Sequence, residues 1–125
     1  MLAAHNAAIN LAVKDIAAAR RFYEGVLGFT PQGTTGPGLV AYTTGASKLL
    51  VYVSENAGTN KATACTWSVG DELPSLVAAL KAKGVPFEHY PLPNVTMEGD
   101  LHVFGTHKIA WFKDPDGNIL SLINK

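Results

Sequence analysis

The chain contains two copies of one pattern, and a duplication of this kind restricts the folds open to it. An aspartate opens each copy and a glycine follows it at a fixed interval. The interval from Asp15 to Gly28 in the first copy equals the interval from Asp71 to Gly84 in the second. The closing segments of the two copies match again at a larger offset, so the second copy carries an insertion between Gly84 and Ile109.

Each copy begins with a strand followed by a helix. Bulky and small side chains alternate from Ile9 to Val13, which predicts a strand with one bulky face. Asp15 predicts the N-cap of the following helix, and Gly28 predicts its end because glycine accepts a left-handed conformation. The second copy repeats this order from Cys65 to Gly84.

Short strands are expected after the helices, at 29–32 and 85–90, and each copy then closes with a hairpin. The turn at 114–117 reads Asp-Pro-Asp-Gly, in which proline presets φ and glycine accepts a positive φ. Residues 44–47 are its weaker counterpart in the first copy.

These elements predict an α+β fold of two βαβββ modules in tandem, forming a curved mixed sheet with helices outside and a concave cleft. The expected organisation is a single domain over 1–125, with module 1 at about 5–55 and module 2 at about 61–125. The additional residues predict a loop insertion at about 91–107, with a short strand near Leu101 to Phe104.

Composition excludes several classes of protein. Ten Lys and Arg balance ten Asp and Glu, which argues against binding to nucleic acid or to an anionic membrane surface. No apolar run approaches the roughly 20 residues of a membrane span, and no signal peptide is evident. The one cysteine, Cys65, fits a reducing cytoplasm and is expected to be a buried, inert thiol.

The repeat, together with Phe22-Tyr23 ahead of Leu27-Gly28-Phe29 and the closing segment from Trp111 to Asn118, resembles the vicinal oxygen chelate superfamily. That group includes glyoxalase I, bleomycin-resistance proteins, fosfomycin-resistance enzymes and extradiol dioxygenases. In its metal-dependent members, the first strand of each module supplies a His, Gln or Glu, and the last strand usually supplies a Glu. Four such side chains hold one divalent ion in the cleft.

Alignment of this chain with that superfamily, together with the internal repeat, places these four positions on Ala8, Val51, Ala64 and Ser121. Two alanines, a valine and a serine cannot replace a His/Glu set, and moving the alignment by one residue adds one good ligand, Cys65. We therefore predict no metal site and no cofactor. Metal-dependent glyoxalase I or dioxygenase activity is not expected.

Strand alternation and the hairpins predict which side chains line the cleft. The lining is mostly apolar, as in small-molecule pockets, although the same residues would also suit a core or a dimer seam. Trp111 is expected on the other face, under the helices. The candidate ligand-binding residues are Asn10, Tyr42, Val51, Thr66, Ser68, Phe112 and Ser121, joined by His102 from the insertion.

The insertion also contains acidic and histidine side chains, at Glu98, Asp100, His102 and His107. One interpretation is an acid/base or substituted metal site formed by a lid. The other is a solvated loop, since the two histidines lack the i, i+4 spacing of a zinc-binding pair.

The favoured function is metal-free binding or sequestration of a small hydrophobic or aromatic molecule, as in bleomycin-resistance proteins. One alternative is a lyase, isomerase or dioxygenase-like enzyme with a displaced or absent metal site. Another is a structural or regulatory dimer partner without a ligand. The resemblance also implies a homodimer, and the single cysteine fits a cytoplasmic location.

Overall fold

The computed structural model describes residues 1–33 and 36–125, and the chain forms two compact units. The first unit comprises residues 1–60 with 115–118, and the second comprises 61–114 with 119–125. The turn at 115–118 thus belongs to the first unit, although the strands before and after it belong to the second. No helix in the described residues is long and apolar enough to cross a membrane.

The first unit is a three-stranded sheet with one helical segment. Strand β3 lies in the middle, parallel to β1 and antiparallel to β2. A short 3₁₀ helix precedes the sheet, and α1 continues directly into a π-helix. The elements are the 3₁₀ helix Leu2–Ala4, β1 (Ala8–Val13), α1 (Ile16–Arg20), the π-helix Arg21–Val26, β2 (Leu39–Thr44) and β3 (Ser47–Val53).

The predicted ends of the first helical segment are confirmed. The Asp15 carboxylate accepts the backbone N–H groups of Ala17 at 2.9 Å and Ala18 at 3.3 Å, which satisfies two of the unpaired donors at the helix start. Gly28, just beyond the π-helix, has φ +82°, a conformation that glycine adopts without steric cost.

One face of the first sheet is packed against the helical segment. Ile9, Leu11 and Val13 pair with Leu49, Val51 and Val53, so these side chains share a face. Tyr42 lies on this face, and its ring centroid is 6.2 Å from that of Tyr23 in the π-helix. We call this the core face of the first sheet. The face of Asn10 and Leu50 is its far face.

The second unit repeats the order and adds a hairpin. Its sheet runs β4-β9-β8-β7-β6, with β4 parallel to β9, and β5 also pairs with β8. The elements are β4 (Thr63–Ser68), the 3₁₀ helix Gly70–Glu72, α2 (Leu73–Ala82), β5 (Phe87–Glu88), β6 (Thr96–Glu98), β7 (Leu101–Phe104), β8 (His107–Lys113) and β9 (Ile119–Ile123).

The α+β class and the tandem β-α-β-β-β order are therefore confirmed, with changes in the short strands. The strand predicted at 29–32 is reduced to a bridge between Pro31 and Tyr42, and that predicted at 85–90 covers only Phe87–Glu88. The strand expected at Leu101–Phe104 is confirmed. The insertion is more ordered than predicted, because β6 pairs with β7.

The two closing hairpins differ in loop length. Thr44 pairs with Ser47 around two residues, whereas Lys113 pairs with Ile119 around five. The difference of three is odd, and an odd shift moves every following side chain to the other face of the sheet. The face of a side chain in the last strand of one unit therefore does not predict the face of the matching side chain in the other unit.

This loop length corrects the predicted pairing in the second unit. Ala110 lies opposite Leu122 and Phe112 opposite Leu120, each one residue away from the prediction, which assumed a tight turn. The core face of the second sheet accordingly carries Ala110, Phe112, Leu120 and Leu122, all buried. Its far face carries Ser121.

Candidate functional site

Three predicted ligand-binding residues share the far face of the second sheet. Thr66 pairs with Ser121 across β4 and β9, and Ser68 follows on the same face. The hydroxyl oxygens of Thr66 and Ser121 are 2.7 Å apart, within hydrogen-bonding distance, and Ser121 is 2% exposed. The predicted face of these residues is confirmed, and whether they bind a ligand stays a prediction.

A β-bulge at the start of β4 adds a further hydroxyl to this face. The pairing shifts between Thr63 and Cys65, which leaves Ala64 as the extra residue and turns Thr63 toward the far face. The Thr63 hydroxyl accepts the indole N–H of Trp111 at 3.0 Å. Trp111 lies opposite Ser121, so its predicted place under the helices was wrong, for the same reason of register.

His102 is fully buried on the same face. Its Nε2 accepts the backbone N–H of Tyr90 at 2.9 Å, which requires an unprotonated Nε2. Its Nδ1 lies 3.3 Å from the Ile109 carbonyl oxygen, to which Nδ1–H donates. The Trp111 ring packs edge-to-face at 4.7 Å.

Burial lowers the pKa of His102 below its ordinary value, because a charged ring would lose its hydration. The solvated-loop interpretation was therefore wrong for this histidine. Both of its ring nitrogens are bonded to backbone groups, so neither is available to bind a metal or to transfer a proton. His102 joins the chain before the insertion to the β7–β8 hairpin.

Two of the other insertion residues form ion pairs. The Asp100 carboxylate lies 2.7 Å from Lys81 Nζ and 2.8 Å from His89 Nε2, and the hydrogen bond from Lys81 is the largest cause of its lowered pKa. Glu98 lies 3.2 Å from Lys108. These contacts connect the insertion to α2, to His89 just after β5, and to β8, and each of the two carboxylates already has a cationic or histidine partner.

The positions aligned with metal ligands do not fit a divalent ion. Ala8 and Ala64 offer no donor, and the Ser121 hydroxyl is bonded to Thr66. Val51 is in the core, which leaves Leu50 on the far face beside Asn10. Within residues 1–33 and 36–125, no three His, Cys, Asp or Glu side chains are placed to hold a metal.

Three of the predicted ligand-binding residues are core residues instead. Tyr42, Val51 and Phe112 lie on core faces and are buried, because the odd difference in loop length reversed their assigned faces. The Tyr42 hydroxyl donates to Glu24 at 2.8 Å, and burial is the largest cause of its raised pKa. Asn10 lies on the far face of the first sheet, exposed as a ligand-binding residue requires.

Cys65 lies on the core face and is 6% exposed. Burial raises its pKa to about 11, so the thiol stays protonated near neutral pH. The expectation of a buried thiol is confirmed, and its lack of reactivity stays a prediction.

A groove of about 360 Å³ opens in the second unit, at the ends of β7, β8 and β9. Three apolar side chains from these strands line it together with polar residues. The lining consists of Phe104, His107, Ile109, Ile123, Asn124 and Lys125.

Sequence reasoning missed this groove, apart from naming His107 among the insertion residues. Ile109 pairs with both His102 and Ile123, so the three share the far face. If a five-residue loop had been assumed for the second hairpin, the sequence would have predicted the pairing of Ile109 with Ile123. Nothing in the turn sequence alone selects that length.

The fold of the chain has counterparts among proteins of known structure. An integron cassette protein from the mobile metagenome of the Halifax Harbour sewage outfall is 19% identical, with a TM-score of 0.72 over 97% of this chain and 98% of that chain. The glyoxalase/bleomycin resistance protein/dioxygenase from Alicyclobacillus acidocaldarius is 18% identical, with a TM-score of 0.70 over 95% and 89%. The fosfomycin resistance protein FosX from Mesorhizobium loti is 11% identical, with a TM-score of 0.69 over 97% and 92%.

No curated protein matches the chain in sequence. The model of the Glyoxalase/Bleomycin resistance protein/Dioxygenase superfamily, however, matches residues 5–122. That range takes in both β-α-β-β-β copies and nearly the whole chain. The protein therefore belongs to the glyoxalase/bleomycin resistance protein/dioxygenase superfamily.

Proposed function

We propose that this protein binds or sequesters a small hydrophobic or aromatic molecule without a metal ion. The observation that carries the proposal is the groove of about 360 Å³ whose apolar lining comes from Phe104, Ile109 and Ile123. A groove of this size lies within the range of small-molecule sites, which bury most of a ligand against apolar walls.

The polar part of the lining favours retention of a ligand over catalysis. The Asn124 side chain accepts Lys108 N–H at 2.9 Å and donates to the Thr106 carbonyl at 3.0 Å, so it supports the β7–β8 turn. Sequestration requires complementary apolar area, which Phe104, Ile109 and Ile123 supply. The buried His102 supports the groove wall, since its ring bonds to the carbonyl of Ile109.

Replacing Ile123 by Ser should weaken binding of a neutral aromatic probe, 2-naphthamide, roughly tenfold. The change removes apolar area worth about 1–2 kcal/mol of buried surface at the groove. Binding is measured by NMR titration of the ¹⁵N-labelled chain, following the amides of residues 104–109 and 123.

Leu92→Ser is the matched control, because Leu92 is an exposed residue of the same unit that does not line the groove. Its affinity for 2-naphthamide should equal that of the unaltered protein. Absence of any groove shift with 2-naphthamide, or equal losses in both variants, would contradict the proposed function.

We further propose that the protein is a cytoplasmic homodimer. Leu39 and Tyr52 are paired on adjacent strands of the first unit and expose large apolar side chains on its far face, and pairing of two copies would cover them. Light scattering after size exclusion should give twice the 13.2 kDa chain mass, and Leu39→Ser with Tyr52→Ser should give the monomer. A monomer mass for the unaltered protein at high micromolar concentration would contradict the dimer.

A further inference from the structure

The hydroxyl pair of Thr66 and Ser121, on the far face of the second sheet, has one O–H donor left over. The two oxygens lie 2.7 Å apart, so one hydroxyl donates to the other. Ser121 is 2% exposed and has no other hydrogen-bond partner for its hydroxyl among the described residues. A buried O–H group without an acceptor is costly, so Ser121 is the donor of the pair. The O–H of Thr66, an exposed residue, is therefore free to donate to a ligand.

This free donor lies close to the apolar groove of the second unit. Ile109 and Ile123, which line the groove, are paired across β8 and β9. Ser121 precedes Ile123 by two residues on the same face, and Thr66 is the partner of Ser121 in β4. Two residues along a strand and one strand across together span about 8 Å. One fused two-ring aromatic molecule can therefore rest in the groove and present a substituent to the Thr66 hydroxyl.

Trp111 provides ring surface between the groove and the hydroxyl pair. It is half-buried, lies opposite Ser121 and follows Ile109 by two residues in β8, so it borders both. Its indole N–H already donates to Thr63 Oγ1 at 3.0 Å. The indole thus offers aromatic contact without a free hydrogen-bond donor, and the donor beside this surface is the Thr66 hydroxyl.

Two charged side chains border Trp111, and they are paired with each other. Glu88 lies opposite Trp111, and its carboxylate is 3.1 Å from Lys113 Nζ. A charged ligand group would have to compete with this ion pair for either partner. The surface around Trp111 therefore suits a ligand whose polar group is uncharged.

We propose that the site selects neutral aromatic molecules that carry a hydrogen-bond acceptor, namely aryl ketones, esters and amides. Their rings lie on Ile109, Ile123 and Trp111, and their carbonyl oxygen accepts the O–H of Thr66. Thr66 is the specificity-determining residue, and Ser121 positions its hydroxyl. This inference rests on the proposed function and narrows its ligand class.

Ser68 is a second hydroxyl beside the groove, because it pairs with Ile123. It is exposed, and none of the described residues fixes its hydroxyl by a hydrogen bond. The hydroxyl of Thr66 is instead held by Ser121. A donor that is already oriented loses less conformational freedom on binding, so Thr66 should contribute more to selectivity than Ser68.

The test compares 2-acetylnaphthalene with 2-isopropenylnaphthalene, two neutral probes of the same shape that differ by an oxygen in place of a methylene group. Binding to the full ¹⁵N-labelled chain is measured by NMR titration at pH 7, following the amides of residues 66–68, 104–111 and 121–123. The ketone should bind roughly fivefold more tightly, the effect of one hydrogen bond between neutral groups. Thr66→Val should remove this preference and leave the affinity for 2-isopropenylnaphthalene unchanged, whereas Thr66→Ser should keep the preference.

Thr96→Val is the matched control. Thr96 is an exposed strand residue of the same unit, and it lies on the opposite face because its neighbour Met97 pairs with His102. Thr66→Val leaves the buried Ser121 hydroxyl without its acceptor, so the double variant Thr66→Val with Ser121→Ala provides a second test without that defect. The preference should be absent in the double variant and present in Thr96→Val and in Ser68→Ala.

The outcomes separate the inference from the proposed function. Equal affinity of the unaltered protein for both probes, or a preference that survives in Thr66→Val or in the double variant, overturns the selection of carbonyl ligands and leaves the groove a binding site. Loss of the preference in Thr96→Val or in Ser68→Ala overturns the role of Thr66. Failure of both probes to shift the groove amides overturns the proposed function as well.

Discussion

Gly58→Ala should lower the free energy of unfolding by about 3 kcal/mol. A Cβ atom at residue 58 would lie 2.5 Å from the backbone oxygen of Asp116, closer than real Cβ contacts. Gly58 also has φ +79°, which disfavours any side chain. The steric cost and the conformational cost add. Movement of the turn at 115–118 could relieve the contact with Asp116, but the unfavourable φ of residue 58 would remain.

The turn cannot move cheaply, because its side chains are bonded to the first unit. The Asp116 carboxylate accepts the Lys14 backbone N–H at 3.0 Å, and Asn118 Nδ2 donates to the Ala12 carbonyl at 2.7 Å. Asn118 is only 6% exposed, so breaking its bond would leave a buried amide without that partner.

Chemical denaturation followed by circular dichroism measures the effect, with Gly45→Ala as the matched control. Gly45 also has a positive φ, +58°, but a Cβ atom there would meet no atom within 4 Å. Gly45→Ala should therefore cost only the conformational part, about 1–2 kcal/mol. Equal losses in the two variants would show that the contact between Gly58 and Asp116 is unimportant for stability.

His102→Ala should lower the free energy of unfolding by about 3 kcal/mol, or the melting temperature by roughly 10 °C. The substitution leaves a cavity beside Trp111 and removes the partners of the Tyr90 N–H and the Ile109 carbonyl. A buried donor without a partner costs more than the net value of the hydrogen bond itself.

Tyr90→Phe is the control for this substitution, since it keeps the Tyr90 backbone N–H and the aromatic ring. The Tyr90 hydroxyl is buried and has no hydrogen-bond partner among the described residues, so its removal should leave stability unchanged or slightly higher. If His102→Ala were as mild as Tyr90→Phe, the two backbone bonds of His102 would contribute nothing.

Stability should also depend on pH through His102. Its folded-state pKa lies below the ordinary 6.5, so below that pH the unfolded chain binds a proton that the folded chain does not. The contribution of the neutral His102 ring to the free energy of unfolding is thus fully present above about pH 6.5, and it is lost as the pH falls through the folded-state pKa.

His102→Gln measures this contribution, because the Gln side chain does not titrate and retains an acceptor. Nearby titratable groups such as His89, whose ring centroid lies 6.1 Å from that of His102, are present in both proteins. Their contribution to the pH dependence therefore largely cancels when the variant is compared with the unaltered protein. Denaturation curves from pH 8 to pH 5 should show that the free energy of unfolding decreases less on acidification in the variant than in the unaltered protein. Parallel pH profiles would mean that His102 binds protons equally in both states.

Most of the fold was predictable because it depends on local patterns that the repeat displays twice. The cap at Asp15, the helix ends at Gly28 and Gly84, and the bulky faces of the first strands follow from spacing and conformational preference. The candidate site was predicted less well. Thr66, Ser68 and Ser121 were assigned to the correct face, whereas Tyr42, Val51 and Phe112 were assigned to the wrong one.

The identity and spacing of the residues were sufficient for two conclusions: the tandem β-α-β-β-β order, and the absence of a His, Gln or Glu side chain at the positions aligned with metal ligands. The register of the second hairpin, the burial of His102 and the residues that line the groove depend on how the strands pack together, and they became known only from the structure. It also assigned the turn at 115–118 to the first unit. The physical reason is that a single residue more or less in a loop reverses every face beyond it, and only packing of the whole sheet selects that length.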